Sequence, residues 1–322
     1  MIRTHFYNTQ HKCLVGLTEQ LFKHFNSTRF VDADTVGYSK LRRRYDLSSV
    51  QNNKPRKQRL FPPPLLALPG GETGKQLAKL WSEEYANCEL WHKLHYYWTE
   101  EECVPSDHPD SCFGSMRDLF FNKLDIDLRH IHPIHGDNNP DEEATRYAGT
   151  LCRTRGICYD PALYPDETTT PFESYFHCAI LDVDEKGYAA KIRSFHNEDI
   201  EAFSLLSIGN DIELMLFDPP MGTPYFARKN RTTGRQHISA SIRLLMETPR
   251  LLIPIFGKEK TSLLYRIDDY FNPPSTLSII RNHPNVHLFI VNEDYREPID
   301  TGLKITRCHF QYEIDQLLQE TD

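Results

Sequence analysis

No stretch of this 322-residue chain approaches 18 consecutive apolar residues, which excludes a transmembrane helix. The opening MIRTHFYNTQHKC has no apolar core of the kind a secretion signal needs, so a cytoplasmic protein is expected. There are eight cysteines but no CxxC pair, which argues against a zinc ribbon and a thioredoxin-type site. In such a chain the thiols are expected to be reduced, several of them in the core. No internal repeat is visible, and no linker-like composition break follows residue 65. A single domain over 1–322 is the expectation, with a basic insertion at about 27–64 and a C-terminal extension at about 295–322. At 39% hydrophobic and 25% charged residues the chain can bury an ordinary core.

Charge is unevenly spread along the chain. The net charge is −8, yet residues 38–61 hold Lys40, Arg42, Arg43, Arg44, Lys54, Arg56, Lys57 and Arg59 against the single acid Asp46. That segment carries +7 and leaves −15 on the remainder. It is rich in Ser, Asn and Gln and ends in three prolines, which reads as an exposed insertion. A basic loop suits nucleic acid, an acidic membrane surface or an acidic partner; a solvated loop with no partner is the plainer reading.

Elsewhere strands and helices alternate. Leu14, Leu17, Leu21, Phe22 and Phe25 recur at helical spacing and predict a helix over 12–26. Residues 65–68 are a short apolar run, broken by Pro69-Gly70-Gly71 and followed by a helical stripe at Leu77, Leu80, Trp81 and Tyr85. Strand, glycine turn and helix open a parallel α/β unit. Further buried strands are expected at 94–98, 176–181, 212–217, 251–256 and 286–291. Helical stripes include Met116, Leu119, Phe120 and Leu124, then Ala144, Tyr147, Ala148 and Leu151, and also Leu263, Leu264 and Ile267. The expected fold is α/β, a doubly wound, mostly parallel sheet with flanking helices.

Three local patterns bear on chemistry. Gly70-Gly71-Glu72-Thr73-Gly74-Lys75 falls short of a P-loop: three residues rather than four precede the Gly-Lys pair, and Gln76 follows it. A glycine turn opening a helix still offers free amides to an anion. His130 and His132 would share a face if extended, but Pro133 interrupts and no Cys or acidic ligands accompany them, so no metal is expected. Glu100, Glu101 and Glu102 stand at the end of a strand, where α/β sheets place ligands; acid–base work, cation binding and a solvated helix start all remain open.

Taken together, LLALPGGETGKQL (65–77), LHYYWTEEECVPSDHPDSCFGSMRDLFFNKLDI (94–126), HIHPIHG (130–136) and PPSTLSIIRNHPNVHLFIVNED (273–294) resemble the 6-phosphogluconolactonase family, which shares its late segments with glucosamine-6-phosphate deaminases. The resemblance implies the sugar-phosphate isomerase-like α/β fold. It also implies hydrolysis of 6-phosphogluconolactone, a step of the pentose phosphate pathway, by a carboxylic ester hydrolase that needs no cofactor. The chain departs from the family on working residues. In the stretch that resembles LGxGxDGHxASLFP, Gly187 fits, but Tyr188 stands where the resemblance places the general-base histidine, and Lys186 replaces the aspartate before it. A tyrosine with its usual pKa near ~10 is a poor base at neutral pH. In the DERxVP stretch Glu101 keeps the glutamate position, while Glu102 replaces arginine. In the phosphate loop Gly70, Gly71 and Thr73 fit, but Glu72 replaces serine. The arginine of a later strand falls near His237, with Arg235 beside it.

Lys186, Lys191 and Arg193 are new positive charges near the old catalytic loop; they would either rebuild an anion site or lie on the surface. The changes favour a non-catalytic scaffold or binding protein whose partner engages the basic insertion. A divergent sugar-phosphate enzyme using Glu101 or a relocated base is the alternative, and a nucleic-acid-associated protein acting through residues 38–61 is the third.

Overall fold

The computed structural model describes residues 2–27, 63–155, 176–192, 224–229, 234–262, 276–280 and 283–292. The basic segment 38–61, the apolar run 212–217, the stripe at Leu263, Leu264 and Ile267, the stretch 295–322, Arg193 and His196 lie outside the described residues.

Six strands form an all-parallel sheet: β1 (Ile2–Tyr7), β2 (Leu65–Leu68), β3 (His95–Trp98), β5 (Cys178–Ile180), β8 (Leu251–Ile255) and β9 (Val286–Val291), in the order β1-β9-β8-β5-β2-β3. A second sheet is antiparallel, with β4 (Glu100–Glu102), β7 (Gln236–Ala240) and β6 (Tyr225–Lys229) in that order. The parallel, helix-flanked sheet is the fold expected from the sequence; the antiparallel sheet is an addition to it. β1 is also an addition, since IRTHFY has three polar residues in a row, Arg3-Thr4-His5, and contains no apolar run. The interior strands are different. LLAL in β2 and LLIPI in β8 are buried at every position, because a parallel strand covered on both faces needs apolar residues throughout.

Helix α1 (Gln10–Ser27) lies on the face that carries Tyr7 and Phe289; Cys13 Sγ donates to the Phe289 carbonyl at 3.3 Å. A Cβ on Gly16 would fall 2.0 Å from the Tyr7 hydroxyl, so the helix approaches this closely only with glycine there. Helix α2 (Gly71–Glu84) buries Leu77, Ala78, Leu80 and Trp81, and Trp81 Nε1 donates at 2.9 Å to Thr18 Oγ1 of α1. Trp81, Trp91, Phe120 and Tyr96 form one aromatic cluster on this side of the sheet.

The chain leaves the parallel sheet after Trp98. Thr99 donates its amide and hydroxyl to the Leu68 carbonyl, at 2.9 and 3.1 Å, while its own carbonyl accepts from Ala240 of β7. One residue thus joins the two sheets and carries the glutamates of β4 across the C-terminal ends of β2 and β3. Next come α3 (Cys112–Met116), a wide π turn (Arg117–Phe121) and α4 (Asn122–Leu124), then α5 (Pro140–Arg155). The later helices are α6 (Ile242–Glu247), α7 (Lys258–Ser262) and α8 (Thr276–Ile280). His130 and His132 do come together, although His130 ends a 3₁₀ turn rather than lying in a strand. Both rings stack on His95, and His132 Nε2 lies 3.0 Å from His95 Nδ1.

Candidate functional site

β4 is extended, so its alternate side chains face opposite ways. Glu101 turns to α3, where its carboxylate accepts the amides of Cys112 (2.7 Å), Phe113 (2.8 Å) and Glu102 (3.0 Å). Ser111 caps the same helix start through Gly114 at 3.0 Å. Burial pushes the Glu101 carboxyl up to about 7, and the amides pull against that rise. Its oxygens are committed to holding α3.

Glu100 and Glu102 face the turn between β2 and α2. Glu100 is fully enclosed, and the loss of water raises its pKa to about 7 despite the attraction of Lys191. Its carboxylate packs against the Gly70 backbone. No side chain fits on Gly70, where a Cβ would lie 2.8 Å from Glu100 Oε1 and 2.5 Å from Cys112 Sγ. Gly71 has φ +62°, and a Cβ there would lie 2.8 Å from Asp182 Oδ2. Burial keeps the Cys112 thiol neutral, which removes it as a nucleophile.

Asp182, just after β5, accepts the Thr73 hydroxyl at 2.8 Å and Lys260 Nζ of α7 at 3.2 Å. Lys191 pairs with Glu102. Burial works against its charge, but Glu100 and Glu102 outweigh that and hold its pKa up at about 12. Lys191 is aimed by two consecutive left-handed residues, Ala190 (φ 51°) and Lys191 itself (φ 55°). Ser239 Oγ of β7 donates to the Ala190 carbonyl at 2.5 Å and fixes that turn. Such φ values in non-glycine residues cost on the order of 1–3 kcal/mol each, so the surrounding contacts impose them.

The cleft at the C-terminal ends of β2, β3 and β5 therefore holds three carboxylates, Glu100, Glu102 and Asp182, against two ammonium groups, Lys191 and Lys260. Among the described residues no group of three or more His, Cys, Asp or Glu is arranged to hold a metal ion.

The profile of the family "Glucosamine-6-phosphate isomerases/6-phosphogluconolactonase" matches residues 57–172. A 6-phosphogluconolactonase of Haemophilus influenzae is 25% identical over 203 residues, 63% of this chain and 72% of that protein. One from Aggregatibacter actinomycetemcomitans is 33% identical over 90 residues, 28% of this chain and 39% of that protein. The 6-phosphogluconolactonase structure from Trypanosoma cruzi superposes with a TM-score of 0.61 at 15% identity, covering 91% of this chain and 95% of that one. The chain is similar to 6-phosphogluconolactonases over residues 57–172 and shares their fold.

Of the residues that the family resemblance singled out, Gly70, Gly71, Thr73, Glu102 and Lys191 converge in the cleft. Gly187 and Tyr188 lie in a small loop closed by the Val183–Ala189 bridge. The Tyr188 amide donates to Asp184 Oδ1 at 3.0 Å, and its half-buried ring packs on the core. Lys186 is exposed at the tip of that loop. Glu72 is exposed on α2 and accepts from Gln76 Nε2 at 3.0 Å. Arg235 pairs with Asp110 at 2.7 Å on the surface. Asp182, Lys260 and Cys112 belong to the cleft and were missed from sequence. Asp182 meets Thr73 across 109 residues and Lys260 across 78, and no local pattern signals either contact.

Proposed function

We propose that this 6-phosphogluconolactonase-like protein has lost lactone hydrolysis and retains the scaffold as a cytoplasmic binding protein. One observation carries the reading: the groups that open α2 toward an incoming anion are engaged or crowded by the protein's own side chains. The Thr73 hydroxyl goes to Asp182, and Glu100, Cys112 and Asp182 crowd Gly70 and Gly71 so closely that no Cβ would fit there. Lys191 and Lys260, the cations at hand, are paired with Glu102 and Asp182. A phosphate entering here meets carboxylates at contact range, each worth about 1–4 kcal/mol of repulsion per pair of unit charges at ~4 Å. Aligning Leu181 with the first residue of the LGxGxDGH stretch puts Asp182 at a glycine position, so a side chain fills space the family pattern leaves empty. The histidine position holds Tyr188. The basic segment 38–61 supplies the partner surface in this reading.

The test is a lactonase assay on freshly made 6-phosphogluconolactone with spontaneous hydrolysis subtracted, using the wild type, Tyr188→His and the double variant Tyr188→His/Asp182→Gly. The expected result is no turnover in the wild type and recovery, if anywhere, only in the double variant. Wild-type turnover would overturn the proposal. It would favour a second reading, in which Glu100 serves as a relocated general base because its pKa of about 7 suits proton transfer at neutral pH. In that case Glu100→Gln abolishes the turnover.

A further inference from the structure

The opposite, N-terminal edge of the parallel sheet carries a second charged cluster, built from residues that the family reading leaves unused. Along β1, β9, β8 and β5 the chain places Arg3, His287, Arg250 and His177 in that order. Register puts Arg3, His287 and Leu252 side by side, so Arg250, two residues before Leu252, shares their face. His5 lies on the same face one step further along β1. His24, in the last turn of α1, closes the cluster from above and bonds the His177 carbonyl at 2.9 Å.

The contacts within the cluster are specific. Arg3 Nη1 lies 3.2 Å from His287 Nε2 and 3.2 Å from Asn285 Oδ1. A guanidinium only donates, so His287 Nε2 accepts from it, and His287 Nδ1–H then donates to His5 Nε2 at 2.9 Å. The His5 and His287 rings stack at 5.2 Å. Burial and the two arginines keep His287 neutral, its pKa pushed down to about 3, and His24 is held down to about 4. Arg250 has its Nε buried with no hydrogen-bond partner, and its pKa is lowered by burial and by Arg3. Among the described residues neither Arg3 nor Arg250 forms an ion pair, and no carboxylate of the described residues acts on Arg250, His5 or His287. In this protein of net charge −8, Arg3 and Arg250 thus repel each other with no counter-charge among the described residues. The carbonyl end of α1 offsets them in part, but it carries only about half a charge. Arg3 is exposed and leaves the cluster open to solvent.

We propose that Arg3 and Arg250, backed by His287, His5 and His24, form a binding site for a phosphate group at the N-terminal edge of the sheet, separate from the cleft at the C-terminal edge. A phosphate dianion supplies the missing counter-charge, accepts the orphaned Arg250 Nε–H and suits the planar donor fork of arginine. The group is carried either by inorganic phosphate or by a phosphate monoester of a small metabolite. The site does not depend on whether lactone hydrolysis survives.

The test is calorimetric titration of the full chain with inorganic phosphate and, separately, glucose 6-phosphate, at constant ionic strength with chloride as the control. Saturable binding that weakens at least tenfold in both Arg250→Gln and Arg3→Gln, and is unchanged in Lys191→Gln, supports the proposal. Tighter binding of the monoester would identify a metabolite site, and tighter binding of inorganic phosphate a site for the free ion. Arg3 is exposed, so Arg3→Gln stays informative if Arg250→Gln fails to fold, as ligand-free melting curves would reveal. Absence of saturable binding would overturn the proposal. So would binding retained in Arg3→Gln, or binding lost in Lys191→Gln, which would place the phosphate in the C-terminal cleft.

Discussion

Glu100→Gln isolates the electrostatic cost of the cleft. A carboxyl whose folded pKa lies above its unfolded value adds stability below the unfolded pKa, and that stability is lost as pH rises through the folded one. For Glu100 these values are 4.5 unfolded and about 7 folded, so the loss runs between them. At about 1.4 kcal/mol per tenfold change in proton affinity, full ionisation costs roughly 3 kcal/mol, of which about 2–3 kcal/mol falls between pH 5 and pH 9. Glutamine keeps the shape beside Gly70 but carries no charge. The variant should therefore gain about 2–3 kcal/mol on the wild type between those pH values. Urea unfolding followed by tryptophan fluorescence reads this directly, because Trp81, Trp91 and Trp98 are all buried. Glu101 also titrates at about 7, but it does so in both proteins and cancels in the difference. If the two stabilities run parallel with pH, Glu100 does not ionise in this window and the picture of a desolvated carboxyl is wrong. A variant that loses ground at high pH would mean that attraction to Lys191 outweighs desolvation.

Two further substitutions test the same network. Lys191→Met leaves Glu100 and Glu102 without their shared cation and should lower stability by about 1–3 kcal/mol, below the cost of breaking a fully buried pair because Lys191 is one-third exposed; urea unfolding at pH 8 measures it, and an unchanged midpoint would show the pair to be inert. Ala190→Gly relieves a left-handed alanine and should raise stability by about 1 kcal/mol in the same assay, whereas a loss would show that the buried methyl packs more strongly than the turn is strained.

The readable parts of the fold were those whose information is local. β2, the glycine turn and α2 are contiguous, and the continuous burial of LLAL leaves an apolar run that marks a strand. α1 shows its helical period because only one of its faces packs on the sheet. β1 is different: it is an edge strand in which Arg3, His5 and Tyr7 alternate with Ile2, Thr4 and Phe6, so it has no apolar run to find. In the cleft, the three glutamates of β4 stood out, but their division of labour did not. That Glu101 serves α3 while Glu100 and Glu102 face the turn follows from pairing with β7, where Glu100 meets Ser239 and Glu102 meets His237. Asp182 and Lys260 become neighbours only through the parallel crossovers, which join sequence positions far apart.

The two edges of the sheet differ in electrostatic logic, and this constrains what each can bind. At the C-terminal edge, among the described residues, Lys191 and Lys260 each have a carboxylate partner, and side chains crowd the glycines that open α2. An anion can enter only by displacing Asp182 or Glu102 from its lysine, whereas a cationic group can replace Lys191 or Lys260 against carboxylates already in position. At the N-terminal edge the opposite holds: among the described residues Arg3 and Arg250 have no carboxylate partner, and His24 and His287 are held neutral, so an added anion removes a repulsion. Drift in the residues of the family chemistry therefore does not by itself strip the fold of phosphate recognition. It moves the favourable place for a phosphate from the end of the sheet where α2 begins to the end where α1 finishes.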